Sequence, residues 1–302
     1  MFKVFDEEYT NRIRVAQIFI YGWVIANTLY MLPGHRSFWG DTDLIPIRDL
    51  SAYSWIERSM NLLFLPEWAS WYPLFIALQL LGCAMVLSRK LPTIGAILCW
   101  LMTVNLDNRI YVTMDGGNNL IALLLFYGIF YASYRSHPLL KGMAVSSYYV
   151  SRAQVCILYF MAGITKATGQ YWVKGMGLYY ALTVDEYSHP FLQELMLSSP
   201  WISVIGSYVT LLFQISFPFL VWVKQLRPWY FLLGTMIHLG ISFGMGLMFF
   251  GFAMVVSYKL FYTEDRAEEV ISVLNRYATK VLMFFKGGNH EHVETADANL
   301  PA

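Results

Sequence analysis

Charge is what this sequence has least of. Asp, Glu, Lys and Arg make up 14% of its 302 residues, against about 25% in an ordinary soluble domain, and 57% are hydrophobic. That balance points to lipid. A formal net charge of +1, with no basic block longer than Arg89-Lys90, excludes the electrostatic footprint of a nucleic-acid partner. Cysteine is nearly as scarce. Cys83, Cys99 and Cys156 all lie in apolar runs and none forms Cys-x-x-Cys, whereas a disulfide-exchanging enzyme needs exposed, paired thiols; these three read as small apolar fillers. Of the six histidines (35, 137, 189, 238, 290 and 292), only His290-Glu291-His292 has ligand-like spacing. It falls in a polar tail, so no metal is expected. There is no phosphate-cradling Gly-rich loop and no Ser/His/Asp signature. No run of Gly, Ser and Pro divides the chain, which reads as one domain. The opening MFKVFDEEYTNRIR carries acids and no apolar core before position 13, so it does not read as a cleavable signal, and the first apolar helix is expected to stay.

What is present is a series of apolar runs. A bilayer core of roughly 30 Å takes about 20 apolar helical residues to cross. The runs at 15–32, 71–88, 92–107, 118–134, 148–166 and 201–223 fit one crossing each. A further run, 228–262, would make roughly 50 Å of helix, too long for one. Gly244-Met245-Gly246 near its middle breaks it into two short helices. The fold class is therefore all-α: a polytopic integral membrane protein of about eight transmembrane helices, with both termini inside.

Loop charge tests that count. With the N-terminus inside, fifteen of the 21 Lys and Arg residues fall on the cytoplasmic side; Arg36, Arg48, Arg58, Arg109, Lys166 and Lys174 fall outside. This is the positive-inside bias. Removing one helix of the final pair moves Lys259, Arg266, Arg276, Lys280 and Lys286 outward and reverses the split. Trp39, Trp55, Trp68 and Trp71 crowd the first outer loop, 33–70, and Trp172 and Trp201 bracket the third. Amphipathic rings favour the headgroup level, so interfacial helices are expected in 33–70. The organisation is then a transmembrane domain over 1–262, a cytoplasmic amphipathic helix over 263–286 and a disordered tail over 287–302.

Three polar features remain at membrane depth. Lys166 closes the fifth apolar run, where Tyr159, Gly163 and Lys166 share one helical face. It reads either as a lysine snorkelling to the interface or as a partly desolvated base. His238, near the centre of the seventh helix, is either a neutral hydrogen-bonding group or a functional one. The stretch Asn105–Asn119 is either a helix-capping turn or a site in which Asp115 is a counter-ion and Asn118 and Asn119 bind a ligand.

The stretch Gln154–Gly175, with Leu158-Tyr-Phe-Met-Ala-Gly-Ile-Thr-Lys166 followed by Trp172-Val-Lys-Gly175, resembles the signature of the HTTM superfamily. That superfamily comprises the membrane domain of vitamin K-dependent gamma-carboxylase and its bacterial relatives. Asn118–Phe126 and His238–Phe261 resemble family segments in the same order, so the resemblance covers most of the chain. It implies that Lys166 is the base that activates a vitamin K-type membrane quinol, with His238 and the position of Asn119 catalytic. Asp115, Asn118, Tyr159, Gly163 and Trp172 would then line the substrate and cofactor site. Two departures argue against gamma-carboxylation itself. A carboxylase histidine falls on Asn119, and the large soluble region that follows the carboxylase membrane domain is missing here. Among short bacterial members the chain resembles those of sporulation-delaying protein B type. This implies a bacterial cytoplasmic (inner) membrane location, a secreted toxin-like peptide as substrate and a small membrane-associated partner protein. Two functions follow: a membrane enzyme that modifies or matures an exported peptide, or a non-catalytic scaffold that presents the peptide to a partner or protease. A transporter ranks behind both, because paired acidic and basic residues are missing from the centres of the spans.

Overall fold

The computed structural model describes residues 10–40, 53–132, 138–184 and 188–285, and all regular structure among them is helical. In chain order the α-helices are α1 Thr10–Met31, α2 His35–Trp39, α3 Trp55–Ser59, α4 Pro66–Ala69, α5 Tyr72–Leu87, α6 Pro92–Arg109, α7 Gly116–Tyr131 and α8 Pro138–Ala167. They continue with α9 Gln170–Val173, α10 Gly177–Leu182, α11 Pro190–Ser198, α12 Pro200–Leu220, α13 Arg227–Gly244, α14 Met248–Ser257 and α15 Glu264–Phe285. Contacts divide the chain into two compact units, Ala16–Phe261 and the pair Met1–Val15 with Tyr262–Ala302. In the second, Glu264 accepts from the Asn11 amide at 3.1 Å and pairs with Arg12 at 3.5 Å.

Local chemistry sets the boundaries. Helices α5, α6, α12 and α13 each carry proline in the first turn, where its missing N–H costs no hydrogen bond. The break between α13 and α14 lies where the glycines placed it, with Gly246 at φ +70°, a conformation that suits glycine. Seven of the apolar runs fall on helices, α1, α5, α6, α7, α12, α13 and α14, within a few residues. Helix α8 begins ten residues ahead of the apolar run at 148. Its first turns, interrupted by Lys141 and Gly142 and ending in Ser146-Ser147, pack on α7: Ser147 donates to the Tyr127 carbonyl at 2.8 Å, and Ala144 and Tyr148 are buried. The 33–70 segment holds α2, α3, α4 and a 3-10 turn at Leu62–Phe64. Helix α15 falls within the 263–286 segment; the expected tail, 287–302, lies outside the described residues.

By length and composition, Thr10–Trp39 and Pro200–Leu220 are long and apolar enough to cross a membrane, and Tyr72–Leu87, Gly116–Tyr131 and Met248–Phe261 are apolar but shorter. Much of the surface is apolar, and several polar groups lie inside. Ile157, Met161, Leu212 and Met236 are more than half exposed, whereas Gln79, Asn105, Arg109 and His238 are buried. Thr28 donates to Gln79 at 2.8 Å and Gln79 donates to Thr103 at 2.9 Å, a ladder that joins α1, α5 and α6. The last turn of α6 fastens the segment before α5. Asn105 accepts from the Leu62 amide at 2.8 Å, Asn108 donates to the Met60 carbonyl at 2.8 Å, and Arg109 donates to the carbonyls of Trp39 at 3.3 Å and Gly40 at 2.7 Å. These residues, read from sequence as part of an outer turn, are helical anchors.

Helices α5 and α6 cross backbone to backbone. A Cβ on Gly82 would lie 2.7 Å from the Gly95 carbonyl oxygen, and one on Gly95 would lie 2.8 Å from that of Gly82. Close crossing on small residues is how helices associate where burial supplies little drive. Gly95→Ala should therefore destabilise the protein by about 1–3 kcal/mol through overpacking. Gly142→Ala, in α8 with nothing within 4 Å of a new Cβ, should stabilise it by about 0.4–1 kcal/mol. Thermal unfolding of the detergent-solubilised variants checks both; equal effects would refute the crossing.

Candidate functional site

The second half of the bundle is assembled on α8. Tyr159 is buried on its inner face, and its hydroxyl lies 2.7 Å from His238 Nε2 of α13 and 2.6 Å from the hydroxyl of Tyr258, in the 3-10 turn after α14. The ring of Phe217, on α12, stacks obliquely on Tyr159 at 4.2 Å between centroids. Four glycines allow this density. A Cβ on Gly234 would meet the Tyr258 hydroxyl, one on Gly251 would meet the His238 carbonyl, one on Gly163 would lie 2.8 Å from Ile215 of α12, and one on Gly117 would lie 2.8 Å from the Phe250 backbone. Gly163 thus admits a neighbouring helix rather than open space.

One turn beyond Gly163, Lys166 ends the helix half-buried, with its ammonium 5.4 Å from the centre of the Trp172 ring. The turn that carries Trp172 is bolted to α12. Gly175, at φ +73°, presents its carbonyl to the hydroxyls of Ser203 at 3.3 Å and Ser207 at 3.2 Å. Those hydroxyls in turn accept from the amides of Tyr179 and Leu178, and Gly177 leaves room for the indole. The Trp172-x-x-Gly175 spacing therefore fixes a ring beside an amine. Two buried atoms near this face have no protein partner among the described residues: His238 Nδ1 and Gln214 Oε1. Whichever tautomer His238 adopts, Nδ1 is an unmet donor or acceptor. Buried polar atoms left this way call for a water or a ligand.

The polar turn divides in two. Asp115 is the N-cap of α7 and accepts from the amides of Gly117 at 2.7 Å and Asn118 at 3.1 Å. Burial pushes its carboxyl above the ordinary carboxylate value, against the pull of those two hydrogen bonds. Asp115 and Asn118 line a recess of about 220 Å³ with Asn27, Thr113 and the turn Gly246–Phe249. Asn119 is turned elsewhere, into a groove it shares with Asp107 and Asn108. The structure therefore brings Tyr159 to His238 and Lys166 to Trp172. It links His238 to the α7 N-terminus through Phe250, whose ring lies 5.8 Å from His238 and 3.3 Å from a Cβ on Gly116. Asn119 remains apart. Sequence reasoning passed over Tyr258, Gln214 and Asp107. A tyrosine closing an apolar run was the one available signal for Tyr258, since a buried phenol needs a partner.

Capping by Asp115 is testable through pH. Asp115→Ala should cost about 0.5–2 kcal/mol. Asp115→Asn keeps an N-cap and removes a carboxyl whose raised folded-state pKa makes stability fall as pH rises through the window above about 3.9. The asparagine variant should therefore gain on wild type as pH rises toward neutrality and show no gain in acid. Unfolding midpoints across that range check it; a pH-independent difference would contradict it.

Residues 135–266, a little under half of the chain, match the family described as HTTM domain. The match includes Tyr159, Gly163, Lys166, Trp172, Gln214, His238 and Tyr258; Asp115, Asn118 and Asn119 precede it. The chain is also similar to a Bacillus subtilis (strain 168) protein described as "Uncharacterized protein YitO", 31% identical over 141 residues, which cover 41% of this chain and 45% of that relative. The chain thus spans less than half of that relative's length. No solved structure matches. The Tyr159–His238–Tyr258 cluster and Lys166 thus fall in one recognised region: residues 135–266 match the HTTM domain.

Proposed function

We propose that this protein is a multi-pass enzyme of the bacterial cytoplasmic membrane that modifies or matures an exported, toxin-like peptide, using Lys166 as a base on the non-cytoplasmic face. Eight crossings with both termini inside agree with the distribution of Lys and Arg and with the outward-facing apolar side chains, which water would solvate poorly and lipid would not. The HTTM domain relates the chain to the membrane domain of vitamin K-dependent carboxylase.

One observation carries the catalytic reading. The Lys166 ammonium sits over the Trp172 ring with no carboxylate beside it among the described residues, next to a buried polar cluster with unmet hydrogen-bonding capacity. A lysine held by an ion pair resists losing its proton; one held by a ring and partly desolvated gives it up more readily. The same residues fit a quinol: Lys166 for a hydroxyl, Trp172 for a ring. When bound, a quinol supplies an acidic hydroxyl and reducing equivalents. Lys166 Nζ takes and returns the proton, Trp172 orients a planar ring, and Tyr159 with Tyr258 fixes the His238 imidazole behind it. Asp115 and Asn118 offer an acceptor and an amide to peptide groups arriving from outside. A small membrane-associated protein is the expected partner.

A second reading rests on the same pair, since an interfacial cation over an indole also suits a scaffold that presents a peptide to a partner or protease. Substitution separates them. Arginine keeps the charge and stem but does not deprotonate usefully; methionine keeps the volume alone. Lys166→Arg and Lys166→Met should both reproduce the secreted-peptide profile of a deletion strain at matched membrane levels, as read by mass spectrometry of culture supernatants. A wild-type profile from the arginine variant would overturn the base assignment.

A further inference from the structure

A second cavity shares no lining residue with the Lys166–Trp172 pair. Helices α6 and α7 border a groove of about 600 Å³, within the roughly 300–1,000 Å³ of small-molecule sites. Its wall is apolar, formed by Trp100, Leu123 and Phe126 among others, with the Trp100 and Phe126 rings 5.2 Å apart. One end is polar, where Asp107, Asn108 and Asn119 meet. Asp107 is 7% exposed. Its carboxylate has one partner, the Asn118 amide at a long 3.5 Å, and no ion pair among the described residues. Asn108 donates from its amide nitrogen to the Met60 carbonyl, and its oxygen is a further acceptor.

A buried carboxylate with so little compensation is costly. Its counterpart must be a group that donates hydrogen bonds. Trp100 precedes Asp107 by seven residues and Phe126 follows Asn119 by seven, so the aromatic wall lies about 10 Å along the helices from the polar end. Polar groups at the end of a helical groove and rings two turns deeper match the two ends of an amphiphile.

We propose that the α6–α7 groove binds a membrane amphiphile whose head donates hydrogen bonds to Asp107 while its apolar part lies along Trp100, Leu123 and Phe126. The head is an ammonium or a hydroxyl, as carried by an aminophospholipid or an isoprenoid quinol. This site is independent of Lys166 chemistry and stands whether or not the protein is an enzyme.

The test uses the full chain in phosphatidylcholine nanodiscs and three photoreactive diazirine probes of equal chain length: an alkylamine, an alkyl alcohol and an ionised alkyl carboxylate. Peptide mass spectrometry after illumination should place the amine and alcohol adducts on residues 100–126 and leave the carboxylate probe sparse there. Asp107→Leu removes a charge-assisted hydrogen bond and should weaken that labelling about tenfold. Leu123→Trp fills the groove from a side chain already 38% exposed, so it blocks labelling without disturbing the core. Competition by phosphatidylethanolamine assigns the head to a lipid ammonium; competition by a polyprenyl quinol assigns it to a hydroxyl. Equal labelling by the carboxylate probe, or wild-type labelling of both variants, means partition into lipid alone and overturns the site.

Discussion

The hydroxyl of Tyr159 lies between His238 and Tyr258, 2.7 and 2.6 Å away, and the HTTM region is packed to keep it there. Three chain segments converge on that oxygen from α8, α13 and the turn after α14. Gly234 makes room for the Tyr258 hydroxyl and Gly251 for the His238 backbone, and Phe217 covers the Tyr159 ring from α12. Inside a low-dielectric core such a cluster is strong when its members are paired and expensive when one is not. Its one open valence, His238 Nδ1, is therefore informative: the arrangement is complete on two sides and open on the third.

The same constraint explains the distribution of polarity. Where the outside is hydrocarbon, polar groups must find their partners within the bundle, and most of the described ones do, with His238 Nδ1 and Gln214 Oε1 among the exceptions. The Thr28–Gln79–Thr103 ladder, the α6 anchors and the Ser203 and Ser207 hydroxyls all satisfy backbone or side-chain groups internally, while isoleucine, leucine and methionine face out. Midway along α8, close to the start of the apolar run at 148, the Arg152 guanidinium lies 4.5 Å from the centre of the Trp222 ring and 5.2 Å from that of Phe261. A cation over an aromatic ring thus stands near each limit of the apolar run 148–166: guarded by rings near the limit expected inside, and half-exposed beside Trp172 near the limit expected outside.

Much of this was legible in the sequence, and the rest was not for definable reasons. Apolar runs give helices, and Gly244-Met245-Gly246 gave the hairpin break, because both depend on local backbone chemistry. The early start of α8 was hidden because helix formation does not require apolar residues, and a hydropathy reading stops at Ser146-Ser147. Short helices such as α9, α10 and α11 carry no periodicity long enough to detect. Tyr159, Lys166 and His238 stood out as polar groups in apolar surroundings. Tyr258 did not, since a tyrosine among phenylalanines looks like any other ring until its hydroxyl partner is known. Asp107 was passed over because it reads as one more polar residue in a turn, and its position on the last turn of α6, facing a groove, is a tertiary fact.

The account depends on Lys166 opening to the non-cytoplasmic side of a membrane. Single cysteines at Thr168, just beyond Lys166, and at Ser88, in the turn between α5 and α6, are both exposed. The native Cys83, Cys99 and Cys156 are buried and replaceable by alanine. In intact cells, an impermeant maleimide should label the Thr168→Cys protein and spare the Ser88→Cys protein until the membrane is opened. Labelling of both positions from the same side would contradict the topology, and with it the access of an exported peptide to Lys166.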